Sequence, residues 1–209
     1  MTNKSKHATW IEVLATVLMA LTTISTAWCA FQSHRWSSAQ TFLLGETNGL
    51  GRQASELNIK ANQLRVLDVA MFMQYLAAFH NEKTELADYY RQHFRPEMKQ
   101  AFEVWMLQKQ ELGKDVAPPH PFVMKEYVLA HEVKAKDLQQ AAEEKREQGK
   151  QANRRADNYV MLTVLFASVL FFAGMATKFE SIKVRKSIVF IGIGLYLSVM
   201  GYLLTLPVR

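Results

Sequence analysis

The 209-residue sequence contains a single cysteine and only five prolines. One cysteine excludes an intrachain disulfide and with it the small disulfide-stapled folds. The composition also excludes a collagen-like chain. Because 49% of the residues are hydrophobic, a wholly disordered chain is excluded as well.

The sequence also lacks the short motifs that mark common catalytic sites. It has no G-x-S-x-G, Walker, Rossmann or paired-cysteine pattern. His131-Glu132 begins like a zinc-protease helix, but Ala135 stands where such a helix has its second histidine. His93 and His120 have no companion at ligand spacing. We therefore predict a protein that is not an enzyme and that binds no metal or other cofactor.

The chain is basic, with a net charge of +6 and a pI of about 9.4, as many nucleic-acid-binding proteins are. Residues 32–158, however, carry 18 Lys and Arg against 17 Asp and Glu, whereas the segment 178–186 carries four basic residues and one acid. No basic helix face or interleaved aromatic and arginine array suggests base stacking. We expect no nucleic-acid partner, and the excess charge instead indicates membrane topology.

Three apolar runs stand apart from the highly charged remainder. Residues 10–31, 159–177 and 187–206 contain one acid, Glu12, and no Lys or Arg. About 20 apolar residues suffice for a helix to cross a bilayer, where the backbone must satisfy its own hydrogen bonds. The runs therefore predict three transmembrane helices. The segments outside them are 1–9, 32–158, 178–186 and 207–209.

The short basic loop 178–186 predicts the orientation, because the positive-inside rule is read from short loops. It places this loop and the tail 1–9 in the cytoplasm, with 32–158 and the short tail 207–209 on the other side. A basic cluster at 150–155 points the other way, but long segments translocate largely regardless of charge. Aromatic residues lie near the span ends, where interfacial belts form: Trp10, Trp28, Trp36 and Tyr159.

The first run leaves an alternative open. Its basic start and its Ser25-Thr26-Ala27 exit also fit a signal peptide whose cleavage would remove residues 1–27. Its 22 residues suit an uncleaved anchor better. A lipoprotein site at Cys29 is disfavoured because the preceding residue, Trp28, is large. We expect Cys29 to be a thiol packed near the end of the span.

Residues 53–80 predict one helix of the extramembrane domain. One face steps by three, four and seven through Leu57, Ala61, Leu64, Met71, Tyr75 and Ala78. The opposite face is apolar beyond Leu64, so we expect this part to be buried all round, including Val66, Val69, Met73 and Leu76. Glycines at 45, 49 and 51 are expected to bend or interrupt the helix that leaves the first span.

Two shorter helices are predicted at 84–94 and 96–111. Asn81 or Thr84 can open the first, and Pro96 suits the first turn of the second. Residues 113–121 must form a loop, because three prolines in four residues cannot stay helical.

From Phe122 to Asn158 the pattern predicts one helix that runs into the second span. Its apolar stripe is Met124, Val128, His131, Ala135, Leu138 and Ala142. Its polar end is expected to pair with residues 32–52. The fold prediction is thus an all-α membrane protein with three transmembrane helices. An antiparallel helical stalk and a small helical head lie between the first and second spans.

Polar and small residues in the spans are the candidate functional residues. Glu12, Thr16 and Thr23 share one face of the first span, and a carboxylate in hydrocarbon marks function by default. Three roles stay open for Glu12: an interfacial acid, a partner of another helix, or a pore or proton site. Small residues let membrane helices approach closely, so packing faces are predicted. They comprise Thr163, Ala167, Gly174 and Thr177 in the second span, and Ser187, Gly194, Ser198, Gly201 and Thr205 in the third.

A family resemblance rests on stretches spread along the chain. They are Arg35–Gln40, Phe94–Glu97, Ala101-Phe102, Trp105, Ala117–Pro119, Pro121-Phe122, Ala156–Ala167 and Leu170–Gly174. These stretches resemble a group of uncharacterised bacterial inner-membrane proteins with one N-terminal and two C-terminal spans. The resemblance covers nearly the whole chain and implies an inner-membrane location with a periplasmic middle domain. The group carries no assigned activity, so no functional residue is transferred.

The sequence therefore predicts a non-enzymatic inner-membrane protein, either a homo-oligomeric scaffold or an accessory subunit of an envelope complex. Its expected partners are the lipid bilayer, further copies of the chain and an envelope protein. The predicted partner loop is Pro118, Pro119, His120 and Pro121, with a rigid turn between helices as the alternative. The alternative function is an oligomeric channel or transport component with a pore lined by the first span.

Overall fold

The computed structural model describes residues 2–112 and 118–209, with side chains from Trp10 onwards. This part of the chain is helical and contains no strand, which confirms the all-α prediction. The helices are α1 (Thr2–His80), α2 (Thr84–Gln92), α3 (Pro96–Leu112), α4 (Ala130–Ala176) and α5 (Ile182–Leu203), with a 3₁₀ turn at Pro121–Val123. The chain forms two units, Met1–Gly45 with Lys145–Arg209 (unit 1) and Glu46–Glu144 (unit 2).

Helix α1 runs without interruption through the glycines at 45, 49 and 51, so the prediction that they interrupt it is wrong. Glycine in a helix costs only about 1 kcal/mol relative to alanine, whereas proline removes a hydrogen bond and clashes. No proline occurs before Pro96. A Cβ added at any of the three glycines would meet nothing within 4 Å, so no close packing explains them.

Helices α2 and α3 lie where the sequence predicts them, but the start of α2 differs in detail. The residue before the helix is Lys83, and its side chain makes no capping hydrogen bond. Asn81 instead donates from Nδ2 to the carbonyl of Ala77 at 2.7 Å, so it closes the end of α1. Glu82 takes up the left-handed turn with φ 58°.

Helix α4 begins at Ala130, eight residues after the predicted start at Phe122. The intervening residues form the 3₁₀ turn and a second turn in which the Tyr127 N–H donates to the Met124 carbonyl at 3.1 Å. Tertiary contacts override the helical pattern here, because the rings of Phe122 and Tyr127 pack edge-on at 5.2 Å inside unit 2. Met124 is buried as predicted, whereas Val128 is exposed.

Unit 2 has its own aromatic core, built by α1, α2, α3 and the turns before α4. The ring of Phe72 meets Trp105 and Phe122 edge-on, each at 5.6 Å, and Tyr75 meets Phe102 at 5.0 Å. Edge-to-face pairs of this kind each add about 0.5–1.5 kcal/mol beyond the burial of their area. Of the predicted face of α1, Met71, Tyr75 and Ala78 belong to this core, together with Phe72 from beside that face. Ala61 is also buried but lies outside the core cluster.

Unit 1 contains the parts of α1, α4 and α5 that are long and apolar enough to cross a membrane, so the chain has three candidate spans. Buried clusters join the three helices along their length. Cys29 is fully buried in one of them, as predicted. Helix α5 begins at Ile182, within the segment 178–186 that the sequence predicts to be a loop, so that prediction is wrong for residues 182–186.

At one end of unit 1, the C-terminal residues accept hydrogen bonds from α1 and α4. The Trp36 indole N–H donates to the Pro207 carbonyl at 3.1 Å, and the Tyr159 hydroxyl donates to the same oxygen at 3.3 Å. The guanidinium of Arg155 lies 4.5 Å over the Trp36 ring. Trp36 is buried, so it packs between helices rather than in the predicted interfacial belt. The same stretch of α1 packs Ala39 into a cluster with Ala152 and Ala156 of α4.

Candidate functional site

A buried carboxylate forms the centre of the polar contacts in unit 2. Asp68, on α1, is only 2% exposed. Its Oδ2 accepts hydrogen bonds from Arg95 Nη1 at 3.0 Å and from the Tyr127 hydroxyl at 2.8 Å. Arg95 also pairs through Nη2 with Glu97 at 3.1 Å. One carboxylate therefore joins α1, the start of α3 and the turn before α4.

The electrostatics of this cluster favour a fixed proton arrangement. Burial raises the pKa of Asp68, while the Tyr127 hydrogen bond and the Arg95 charge lower that pKa and the Glu97 charge raises it. The pKa of the Tyr127 phenol is raised by burial first, then by its hydrogen bond to Asp68 and by the Asp68 charge. The phenol therefore keeps its proton as a donor. We call Asp68, with its hydrogen-bond donors Arg95 and Tyr127, the polar clamp of unit 2.

A second ion pair lies beside the clamp. Arg65 of α1 bonds to Glu132 of α4, and both side chains are exposed. They border an open depression of about 370 Å³, which is also lined by Phe122, Tyr127, Val128, Leu129, Val133 and Lys136. Among the described residues no group of three His, Cys, Asp or Glu side chains could hold a metal ion. His131 is half-buried at the adjacent position of α4.

Part of the predicted partner loop is held in place by contacts within unit 2. The Trp105 indole N–H donates to the Pro118 carbonyl at 2.7 Å, and Pro121 is buried. The ring of His120 lies 5.7 Å from that of Phe122, and its Nδ1 is buried without a hydrogen-bond partner in the described part of the chain. Pro119 is exposed. The preceding residues 113–117 of the predicted loop lie outside the described residues. These contacts favour the rigid-turn alternative, and a partner role for the loop stays a prediction.

The side of α1 that faces away from the core of unit 2 is apolar and exposed. Ile59, Val66 and Met73 are 57%, 67% and 59% exposed, and Val69 is 39% exposed. The prediction of burial all round is therefore wrong for Val66, Val69 and Met73 within one chain. Leu76 does pack, half-buried, against the aromatic core. We call Ile59, Val66 and Met73, which follow one another at intervals of seven residues, the outer face of α1.

In unit 1 Glu12 pairs with Arg185, which in the sequence is only one of the basic residues of the connector 178–186. Glu12 Oε1 accepts from Arg185 Nη2 at 2.8 Å, so the interhelical role is the one that a contact supports. The Arg185 side chain is 9% exposed and that of Glu12 56%. Thr16 and Thr23 bond to the carbonyls of Glu12 and Met19 in their own helix. Local sequence patterns do not predict this pair, because Glu12 and Arg185 are 173 positions apart.

The predicted small-residue faces do not form the helix contacts within one chain. Ala167, Gly194, Ser198 and Gly201 are exposed, whereas Thr163 and Gly174 are half-buried. A Cβ added at Gly174, Gly194 or Gly201 would meet nothing within 4 Å. The close approach occurs at Gly192 instead, where a Cβ would lie 3.2 Å from the Leu18 side chain. Packing of the predicted faces against another chain stays a prediction.

Comparison with protein-family models, with curated proteins and with solved structures finds no match for this chain.

Proposed function

We propose that this protein is a non-enzymatic membrane scaffold, either a homo-oligomer or an accessory subunit of an envelope complex. The observation that carries the proposal is the outer face of α1. Unit 2 buries an aromatic core of its own and still leaves five large apolar side chains of α1 more than half exposed, among them all three of the outer face. Outside a membrane, exposed apolar side chains that line one side of a helix are typical of a surface that another protein covers.

The proposed location is the bacterial inner membrane, with the N-terminus cytoplasmic and residues 32–158 periplasmic. The pair Glu12–Arg185 supports a common side for the N-terminus and the connector between α4 and α5, because it joins the two. The basic connector favours the cytoplasm for that side. The proposed antiparallel stalk is supported by the packing of Trp36 and Ala39 against Ala152 and Ala156, and unit 2 is the proposed head.

Among the described residues, no contact favours the channel over the scaffold. The three residues predicted to line a pore are Glu12, Thr16 and Thr23. The carboxylate is paired with Arg185, and both threonine hydroxyls donate to carbonyls of their own helix. These groups are satisfied within one chain, whereas the outer face of α1 is not covered within one chain.

Co-isolation tests the proposal directly. Two copies of the full chain, each with a different affinity tag, are expressed in the same cells, extracted in detergent and captured through one tag. We expect the second tagged copy, or a second protein in stoichiometric amount, in the captured material. Extracts prepared separately and mixed afterwards are the control for association after extraction. Recovery of the captured copy alone would overturn the proposed function.

A further inference from the structure

We propose that the outer face of α1 binds the same face of a second copy of this chain, as a short parallel coiled coil. The inference rests on the proposed function and names the partner and the contact surface. Ile59, Val66 and Met73 lie on one line of the helix because they are seven residues apart. That line is opposite the side of α1 where Ala61, Asp68 and Tyr75 are buried in unit 2.

The surface has the geometry that a coiled-coil partner requires. In a coiled coil, each apolar knob enters a hole formed by four residues of the facing helix. Ile59, Asn62, Gln63 and Val66 are spaced as such a hole, and with Leu67 they form an open, largely apolar stretch of the α1 surface. The next hole along the helix would be formed by Val66, Val69, Ala70 and Met73.

The distribution of charge favours a second copy over a charged partner. A surface that meets itself places identical groups near one another, so unpaired charges on it would repel. Between residues 59 and 79 the charged residues are Lys60, Arg65 and Asp68, and Lys60 lies about 100° around the helix from Ile59. Arg65 is bound to Glu132 and Asp68 to Arg95, so both charges are already compensated within unit 2. The outer face itself carries no ionisable side chain.

The membrane spans favour a parallel arrangement. Helix α1 continues without a break from the first candidate span to His80. Two copies inserted in the same orientation run α1 in the same direction. Each outer-face residue then lies opposite its own counterpart, which places Val66 against Val66 and Met73 against Met73.

Cysteine cross-linking of the full chain in native membranes tests the contact. In a Cys29→Ala background, Val66→Cys and Met73→Cys place a thiol on the outer face. Asn58→Cys and Gln74→Cys place one at exposed positions about 100° around the helix. Under mild oxidation we expect a product of twice the chain mass, formed several-fold more from the two outer-face variants than from the two controls. Equal yields from all four variants, or an outer-face product that contains another protein, would overturn the inference.

A charge test separates this inference from the proposed function. Val66→Glu with Met73→Glu is expected to reduce association of the full chain to background, while Asn58→Glu with Gln74→Glu leaves it unchanged; circular dichroism checks that helix content is preserved. If the folded outer-face variant still associates like the wild type, the proposed contact surface is wrong, but the proposed scaffold function is not contradicted. If the wild-type chain is itself a monomer without a partner, both are wrong.

Discussion

Tyr127→Phe is expected to destabilise unit 2 by about 2 kcal/mol. The change removes the hydroxyl that donates to Asp68 at 2.8 Å and retains the ring that packs against Phe122. Because Asp68 is only 2% exposed, its carboxylate is poorly hydrated once this donor is removed. A hydrogen bond to a charged group contributes about 1.5–3 kcal/mol to stability, which sets the magnitude.

Hydrogen exchange of the full chain, followed by mass spectrometry, measures this loss separately in each unit. A destabilisation of about 2 kcal/mol corresponds to roughly 30-fold faster exchange in the protected peptides of unit 2. Tyr89→Phe removes the same atom from an exposed ring and is expected to change stability by less than about 0.5 kcal/mol. The reasoning is refuted if Tyr127→Phe exchanges like the wild type, or if both units lose protection equally.

The penalty of Tyr127→Phe is also expected to depend on pH. Burial raises the pKa of Asp68 and the Tyr127 hydrogen bond lowers it, so removing the hydroxyl raises that pKa further. A carboxyl with a higher pKa in the folded state stabilises folding in acid and loses this contribution as the pH rises through the folded pKa. The penalty should therefore be smaller at mildly acidic than at neutral pH. A penalty that grows on acidification would contradict the clamp.

Three further predictions concern unit 1 and the topology. Glu12→Ala should lower the melting temperature in detergent more than Arg185→Ala. Glu12→Ala leaves the buried Arg185 guanidinium unpaired, whereas Arg185→Ala leaves a half-exposed carboxylate that water solvates. The reverse order of melting temperatures would contradict the pairing. Trp36→Phe removes an indole donor at 3.1 Å and should speed exchange in the C-terminal peptide about fivefold, while Trp28→Phe, an exposed ring, should not. A reporter fused after Arg209 should be periplasmic, and a cytoplasmic signal would overturn the proposed orientation.

Helical periodicity predicts correctly which side of α1 is buried in the core of unit 2. The stripe through Ala61, Tyr75 and Ala78 is buried, because a spacing of three and four places side chains on one face whatever the partner is. Hydrophobicity alone does not tell a core from a surface that another chain covers. The hydrophobic pattern therefore places Val66 and Met73 in a core that one chain does not provide.

Contacts between distant positions could not be read from local patterns. The clamp on Asp68 draws on Arg95 and Tyr127, which lie 27 and 59 positions away, and it accompanies the late start of α4. In the spans, the pattern of small residues points to Gly194, whereas the close contact is at Gly192. Helix rotation depends on the neighbouring helices, and a single span does not encode it.

The mass of the detergent-extracted full chain tests the central claim of a self-associating membrane scaffold most directly. Light scattering separates the protein mass from that of the bound detergent. The account predicts a protein mass of at least two chains of 23.9 kDa, reduced to one chain by Val66→Glu with Met73→Glu. A wild-type mass of one chain, with no second protein bound, would contradict it.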